Sequence, residues 1–152
     1  MRYIFLPFIL LFLLVGCKTA PINQKVNKKK EGKWVTIYNQ DSVEYKSIEF
    51  YKNDEPIKKW KSYIGGKKYR IEKYKNGICY LKIYHQNGKI ESKGQTKLES
   101  NNENSHWFYF GDWKFYDENG KLISIKKYDN GEFVSEIKPQ LLAKKEFKTI
   151  KN

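Results

Sequence analysis

The stretch Trp107-Phe108-Tyr109-Phe110-Gly111-Asp112-Trp113-Lys114-Phe115-Tyr116, followed by Asp117-Glu118-Asn119-Gly120-Lys121, decides the fold. Successive side chains of a β-strand point to opposite faces. Read as extended chain, the run places Trp107, Tyr109, Gly111, Trp113 and Phe115 on one face and Phe108, Phe110, Asp112, Lys114 and Tyr116 on the other. The first face is plainly apolar. The run then reaches Asn-Gly. Both residues tolerate φ > 0, as the two central positions of a type I′ turn require, so this dipeptide is the strongest short-range sign of a hairpin.

Outward from that hairpin the signal repeats. Asn-Gly occurs at Asn76-Gly77, Asn87-Gly88, Asn119-Gly120 and Asn130-Gly131. Gly66, Gly77 and Gly88 fall eleven residues apart, and so do Gly120 and Gly131. Eleven past Gly88 lies Glu99, where the polar stretch Glu99 to Ser105 reads as the same turn lengthened into a loop. The flanks are of two kinds. Tyr84-His85-Gln86-Asn87-Gly88-Lys89 matches Tyr116-Asp117-Glu118-Asn119-Gly120-Lys121, and Tyr74-Lys75-Asn76-Gly77 matches Tyr128-Asp129-Asn130-Gly131. Between the turns lie stretches rich in Tyr, Ile, Val, Phe and Trp, as half-buried strands are.

These features predict strands near 33–38, 43–51, 57–63, 67–75, 78–85, 89–97, 106–116, 121–129 and 132–137, in an all-β chain built as an extended antiparallel sheet of repeated hairpins. A lone hairpin is marginal in water, so the units must stack edge to edge. Cross-strand aromatic pairs contribute roughly 0.2–1 kcal/mol each, and a chain that is 16% aromatic can live on such ladders.

The ends carry other signals. Arg2 precedes an apolar run from Tyr3 to Val15. That run is shorter than the about 20 residues of a spanning helix and fits the about 7–15 of an export signal. Leu14-Val15-Gly16-Cys17 resembles the lipobox of bacterial lipoproteins. The resemblance implies cleavage before Cys17 and a membrane partner reached through lipid on its thiol. Each buried CH₂ contributes about 0.8 kcal/mol, and stable anchoring takes two lipid signals, which the two or three chains of a lipoprotein cysteine supply. Lys18 stands where an inner-membrane retention signal would carry Asp, which points to the outer membrane.

The expected organisation is therefore a signal peptide over 1–16, a lipidated tether over 17–31, the hairpin sheet over 32–137 and a basic tail over 138–152. Between Lys18 and Gly32 only Ile22 and Val26 are branched apolar residues, too little burial to offset ordering entropy, so this segment is expected to be flexible. In the tail, Leu141, Leu142 and Phe147 could form a short helix that folds back on the sheet. Cys79, in Ile78-Cys79-Tyr80-Leu81-Lys82-Ile83, has no partner once Cys17 carries lipid, and reads as a buried core filler.

Gly111-Asp112-Trp113-Lys114-Phe115-Tyr116-Asp117-Glu118-Asn119-Gly120-Lys121, continuing through Tyr128-Asp129-Asn130-Gly131-Glu132-Phe133, resembles the variant MORN repeats of bacterial proteins. Weaker copies begin at Gly32-Lys33-Trp34, Trp60-Lys61 and Tyr80-Leu81-Lys82. Proteins of this kind are commonly lipoproteins, and many carry the label of toxin-antitoxin antitoxin. The resemblance implies an extended antiparallel sheet used for protein or membrane contact and no catalytic residue. The antitoxin label fits poorly with an export signal.

No reaction is written in the residues. His85 and His106 are far apart in the chain, Cys79 is the one thiol left after lipidation, and no Gly-x-Ser-x-Gly elbow or Gly-rich phosphate loop occurs. The chain is expected to be no enzyme and to need no cofactor. Its 30 basic against 17 acidic residues give a formal charge of +13, with Lys interleaved among rings as in Lys58-Lys59-Trp60-Lys61-Ser62-Tyr63. Export makes nucleic acid a poor partner. Such lysines fill solvent faces and blunt sheet edges, or meet an anionic envelope component or protein.

The function these features suggest is a lipid-anchored, non-catalytic binding or scaffold module of the envelope. The alternative is an antitoxin-like or immunity protein that occludes a toxic partner. A single sheet buries one face only, and loops of irregular length often mark the binding side. Phe108, Phe110, Lys114 and Tyr116 are therefore the expected binding face, unless the tail covers them.

Overall fold

The computed structural model of the chain describes residues 21–100 and 105–139. They form a single open antiparallel sheet: β1 (Gln24–Val26), β2 (Lys29–Gln40), β3 (Val43–Lys52), β4 (Glu55–Pro56), β5 (Lys59–Ile64), β6 (Lys67–Lys75), β7 (Ile78–Tyr84), β8 (Ile90–Ser100), β9 (Ser105–Tyr116), β10 (Leu122–Asp129) and β11 (Glu132–Ile137). Spatial order follows chain order, except that the two-residue β4 pairs with the end of β3 and lies off the main path. All nine expected strands are present. The resulting all-β sheet of successive hairpins leaves β1 and β11 as its two edges.

Turns set the register. Six two-residue turns have positive φ at both central positions, as type I′ requires: Asn27–Lys28, Asp41–Ser42, Asn53–Asp54, Gly65–Gly66, Asn76–Gly77 and Asn130–Gly131. The other kind of flank folds differently from the expectation that every Asn-Gly is a type I′ pair. At Asn87-Gly88 and Asn119-Gly120 only the glycine has positive φ, 82° and 84°. There the Gly88 and Gly120 amides donate back to the carbonyls of His85 and Asp117, each at 2.9 Å. The Asp117 carboxylate accepts from the backbone N–H of Asn119 at 3.0 Å and of Lys121 at 2.8 Å. A longer loop held by a side-chain acceptor needs one left-handed residue instead of two.

Two expectations about chain order are corrected. Residues 21–31 of the expected tether form β1 and the start of β2, paired Gln24 to Glu31 through Val26 to Lys29. Burial does not hold them, for β1 is exposed throughout. Hydrogen bonds do: the Asn23 side-chain amide accepts from Val35 N–H at 2.7 Å and donates to Val35 C=O at 2.9 Å. Lys30 N–H donates to the Asp54 carboxylate and Asn53 N–H to that of Glu31. The loop expected over Glu99 to Ser105 is likewise shorter, since β8 and β9 stay in register out to Ser100 opposite Ser105. Cys17, the residues 1–16 expected as a signal peptide, and the tail residues Leu141, Leu142 and Phe147 lie outside the described residues.

A one-layer sheet has no second layer to bury against, and this one makes its core by laying large side chains over small ones on the same face. From β7 and β8 that face receives Cys79, Leu81, Ser92, Gly94 and Thr96; from β9 it receives Trp107, Tyr109, Trp113 and Phe115. β9 carries two extra residues opposite Gly94, since Lys93 pairs with Lys114 while Gln95 pairs with Phe110. This bulge turns the Trp113 ring flat onto Gly94. A Cβ at position 94 would clash with the Cγ, Cδ2 and Cε2 atoms of that ring. Trp113 is 1% exposed and donates its indole N–H to Gln95 C=O at 3.0 Å. Cys79, Leu81, Ser92, Thr96 and Ser124 are buried around it.

Candidate functional site

Alternation and register give the sheet two different faces. On the face that holds the core, rings form a ladder: Trp34 on Tyr51, Tyr51 on Trp60, Trp60 on Tyr74, and Tyr74 on Trp107, with centroids 4.8–6.2 Å apart. Neighbouring strands lie about 4.8 Å apart. Tyr74 on β6 and Trp107 on β9 nevertheless meet at 5.8 Å, because the intervening positions hold small residues such as Cys79 and Thr96 over which the rings can lean.

Titratable groups under this ladder are perturbed by burial. Burial, helped by the neighbouring Glu49 carboxylate that accepts its hydroxyl at 2.8 Å, pushes the Tyr51 phenol up. Burial and the charge of Glu72 raise that of Tyr74. The Glu72 carboxyl is raised by burial in spite of Arg70, which sits 3.5 Å away. The Cys79 thiol, 2% exposed, is pushed up to about 11, chiefly by burial. Such a thiol stays protonated and unreactive, the core filler expected from its strand. Lys30 closes the other end of the ladder, its ammonium 4.4 Å from the Tyr51 ring centroid and 4.9 Å from that of Trp34.

The opposite face carries a lysine from each of eight strands. Lys33 on β2, Lys46 on β3, Lys61 on β5, Lys73 on β6, Lys82 on β7, Lys93 on β8, Lys114 on β9 and Lys127 on β10 all fall on it by register. In the middle the register sets Lys82 directly opposite Lys93, and Lys93 directly opposite Lys114. Like charges directly opposite destabilise a sheet. Two acids of this face are engaged locally, Glu99 with Lys97 at 3.6 Å and Glu91 with His85 at 4.0 Å.

The four residues expected to form a binding face all lie on this lysine face, and the structure divides them. The bulge brings Phe110 and Lys114 opposite Gln95 and Lys93, two positions apart on β8, so they are neighbours on the surface. Phe110, Lys114 and Tyr116 are half-buried. Phe108 is 7% exposed and offers no surface. The β10–β11 turn presses on it, so that a Cβ added at Gly131 would lie 3.2 Å from the Phe108 Cβ. Tyr116 is partly roofed by the Lys93 ammonium, 5.3 Å from its ring centroid.

Sequence reading missed the partners of Lys114. A depression of about 220 Å³ opens between β7, β8 and β9, lined by Tyr80, Lys82, Lys93, Gln95, Asp112 and Lys114 among others. The Asn87-Gly88 turn pairs Tyr84 with Ile90, a register that would set Lys82 opposite Ser92; one extra residue in β8, Glu91, shifts it so that Lys82 meets Lys93. The β9 bulge then decides which residue of β9 completes the row. Among the described residues no group of three or more His, Cys, Asp or Glu side chains is gathered as a metal ion would need. Comparison of the chain with known protein families, with curated proteins and with solved structures gives no match.

Proposed function

We propose that the chain is a non-catalytic binding module of the bacterial cell envelope, held to a membrane, the outer one favoured, by lipid on Cys17, and working through its lysine face. The observation that carries the reading is the Lys82–Lys93–Lys114 row. Three like charges set directly opposite one another weaken the free sheet, and an anionic or acidic partner converts that cost into binding. On the other face the rings build the core and pair with one another, with Tyr38, Trp107 and Tyr109 partly exposed, while the lysine face offers the row of charge. The lipobox resemblance supplies the anchor and the MORN resemblance the use of such sheets for contact.

Two experiments test this. Cys17→Ser should leave the protein unprocessed or release it to the soluble fraction, whereas a correctly processed variant still in the membrane contradicts the anchor. Cross-linking in intact envelopes should recover a partner from the full chain, and Lys82→Glu with Lys114→Glu should abolish that recovery. Undiminished recovery from the double variant contradicts the assignment of the face.

One observation favours the alternative, an antitoxin-like or immunity protein that occludes a toxic protein. The edge strand β11 carries Phe133, Val134 and Ile137 at 57%, 53% and 49% exposure and no lysine. An edge strand with exposed apolar side chains and unpaired backbone groups invites a strand from another chain, although β11 also carries Glu132 and Glu136. On that reading the cross-linked partner is a single stoichiometric protein, and Val134→Pro abolishes its capture while the lysine variants do not.

A further inference from the structure

We propose that the depression between β7, β8 and β9 is a subsite for one unit of an anionic saccharide, a sugar bearing a phosphate or carboxylate group. This deepens the reading of the lysine face as the working surface and rests on it, but does not require the lipid anchor.

The depression holds three kinds of chemistry together. Lys82, Lys93 and Lys114 form a straight row across three strands. At about 4.8 Å per strand the row spans on the order of 10 Å, the reach of a single sugar with its acidic substituent. Among the described residues none of the three has a carboxylate within ion-pair distance, while other lysines of the chain do. Their ammoniums are donors only, suited to phosphate or carboxylate oxygens.

Charge alone does not account for the rest of the lining. Asp112, exposed on the rim, puts an acceptor-only carboxylate inside a cationic cluster. A flat anionic surface or a bare phosphate would be repelled by it, whereas a sugar hydroxyl donates to it. Gln95, directly opposite Tyr80, adds an amide able to donate and accept. Tyr80 is 42% exposed, an aromatic ring available to the apolar C–H face of a pyranose. A ring to stack on, a mixed donor and acceptor pair, and a cationic row sit within one 220 Å³ hollow. In the free chain Lys93 rests over Tyr116, an exposed cation–π contact weak enough to be exchanged for an anion.

The test uses the full chain in neutral detergent, titrated with four probes: oligogalacturonate, mannose 6-phosphate, inorganic polyphosphate of matched charge, and vesicles of phosphatidylglycerol. At least one saccharide should bind, and Lys93→Gln with Lys114→Gln should weaken it at least tenfold. Tyr80→Ala should weaken saccharide binding several-fold while leaving polyphosphate unchanged. Lys93→Gln should also raise the melting temperature of the free chain, because it relieves the row, so lost binding cannot be put down to misfolding. Failure of both saccharides overturns the proposal. So does an equal response of saccharide and polyphosphate to Tyr80→Ala, which reduces the site to charge, or vesicle binding without saccharide binding, which makes the face a lipid surface. If the envelope partner is still captured through the lysines while saccharides fail, this inference alone falls. If capture is lost as well, the reading of the face falls with it.

Discussion

Gly32-Lys33-Trp34 and Gly111-Asp112-Trp113 are two copies of one motif, each with its glycine in the left-handed region, at φ 72° and 67°, yet their tryptophans end in different environments. Trp113 is 1% exposed, its indole N–H satisfied by Gln95 C=O, its ring flat on Gly94. Trp34 is half-buried, meets Tyr51 edge-on at 6.2 Å, and has an indole N–H out of contact with water and without a partner among the described residues. The motif is the same; the neighbouring strand is not. Opposite Trp34 stands Glu49, whereas opposite the β9 bulge stands a glycine. In a one-layer sheet the depth of a core is set by how small the adjacent strand is, and ring content alone does not decide it.

The comparison breaks most readily at the rings themselves. Trp113→Ala should cost about 3–5 kcal/mol, the range for a fully buried large aromatic. Trp34→Ala should cost only about 1–2 kcal/mol, since less apolar area returns to water. Urea melts that find equal losses would make the two environments energetically alike.

Gly94→Ala comes next. It should cost about 1–3 kcal/mol through overpacking against the Trp113 ring, and its effect should shrink sharply in the Trp113→Ala background, where the ring is gone. Additive losses in that cycle would mean that the contact is not what holds the bulge.

At the Trp34 end the strain lies in the turns. Lys28 has φ 66°, a conformation that costs an L-residue roughly 1–2 kcal/mol, so Lys28→Gly should stabilise the chain by about 1 kcal/mol in the same melts. A loss on that substitution would show that the lysine side chain itself does structural duty there.

The smallest effect is one of pH. Burial raises the Glu72 carboxyl above its ordinary value, so the folded chain binds that proton more tightly than the unfolded one. The stability this contributes is full below the unfolded pKa and is lost as pH rises through the folded one. Glu72→Gln should therefore be more stable than the parent at pH 8, with the difference closing towards pH 4. A difference that widens on acidification would show that the Arg70 pairing outweighs burial.

Much of this architecture was legible. Glycines eleven apart gave the hairpin register, and Gly66, Gly77, Gly88, Gly120 and Gly131 all take positive φ. Ser42 takes φ 63° in the same kind of turn without being a glycine. The β1–β2 hairpin was not legible, because the sequence argument weighed burial and the segment is held by the Asn23 side-chain amide and by backbone N–H groups that donate to the Asp54 and Glu31 carboxylates. The candidate site was legible in part. Lys114 and its face followed from alternation, but the burial of Phe108 depends on a turn more than twenty residues later in the chain, and the completion of the lysine row depends on a two-residue bulge that alternation cannot register.

Hydrogen exchange of the backbone amides reads the central claim most directly, because protection follows local burial and contact density strand by strand. A one-layer sheet whose core lies under Trp113 should exchange slowest in β7, β8 and the paired part of β9. It should exchange fast in β11 and over residues 36–40 of β2, where the outer edge is exposed. Protection in β2 and β3 equal to that in β8 and β9 would contradict the account, for it would place the stable core at the copy of the motif where the neighbouring strand offers no glycine.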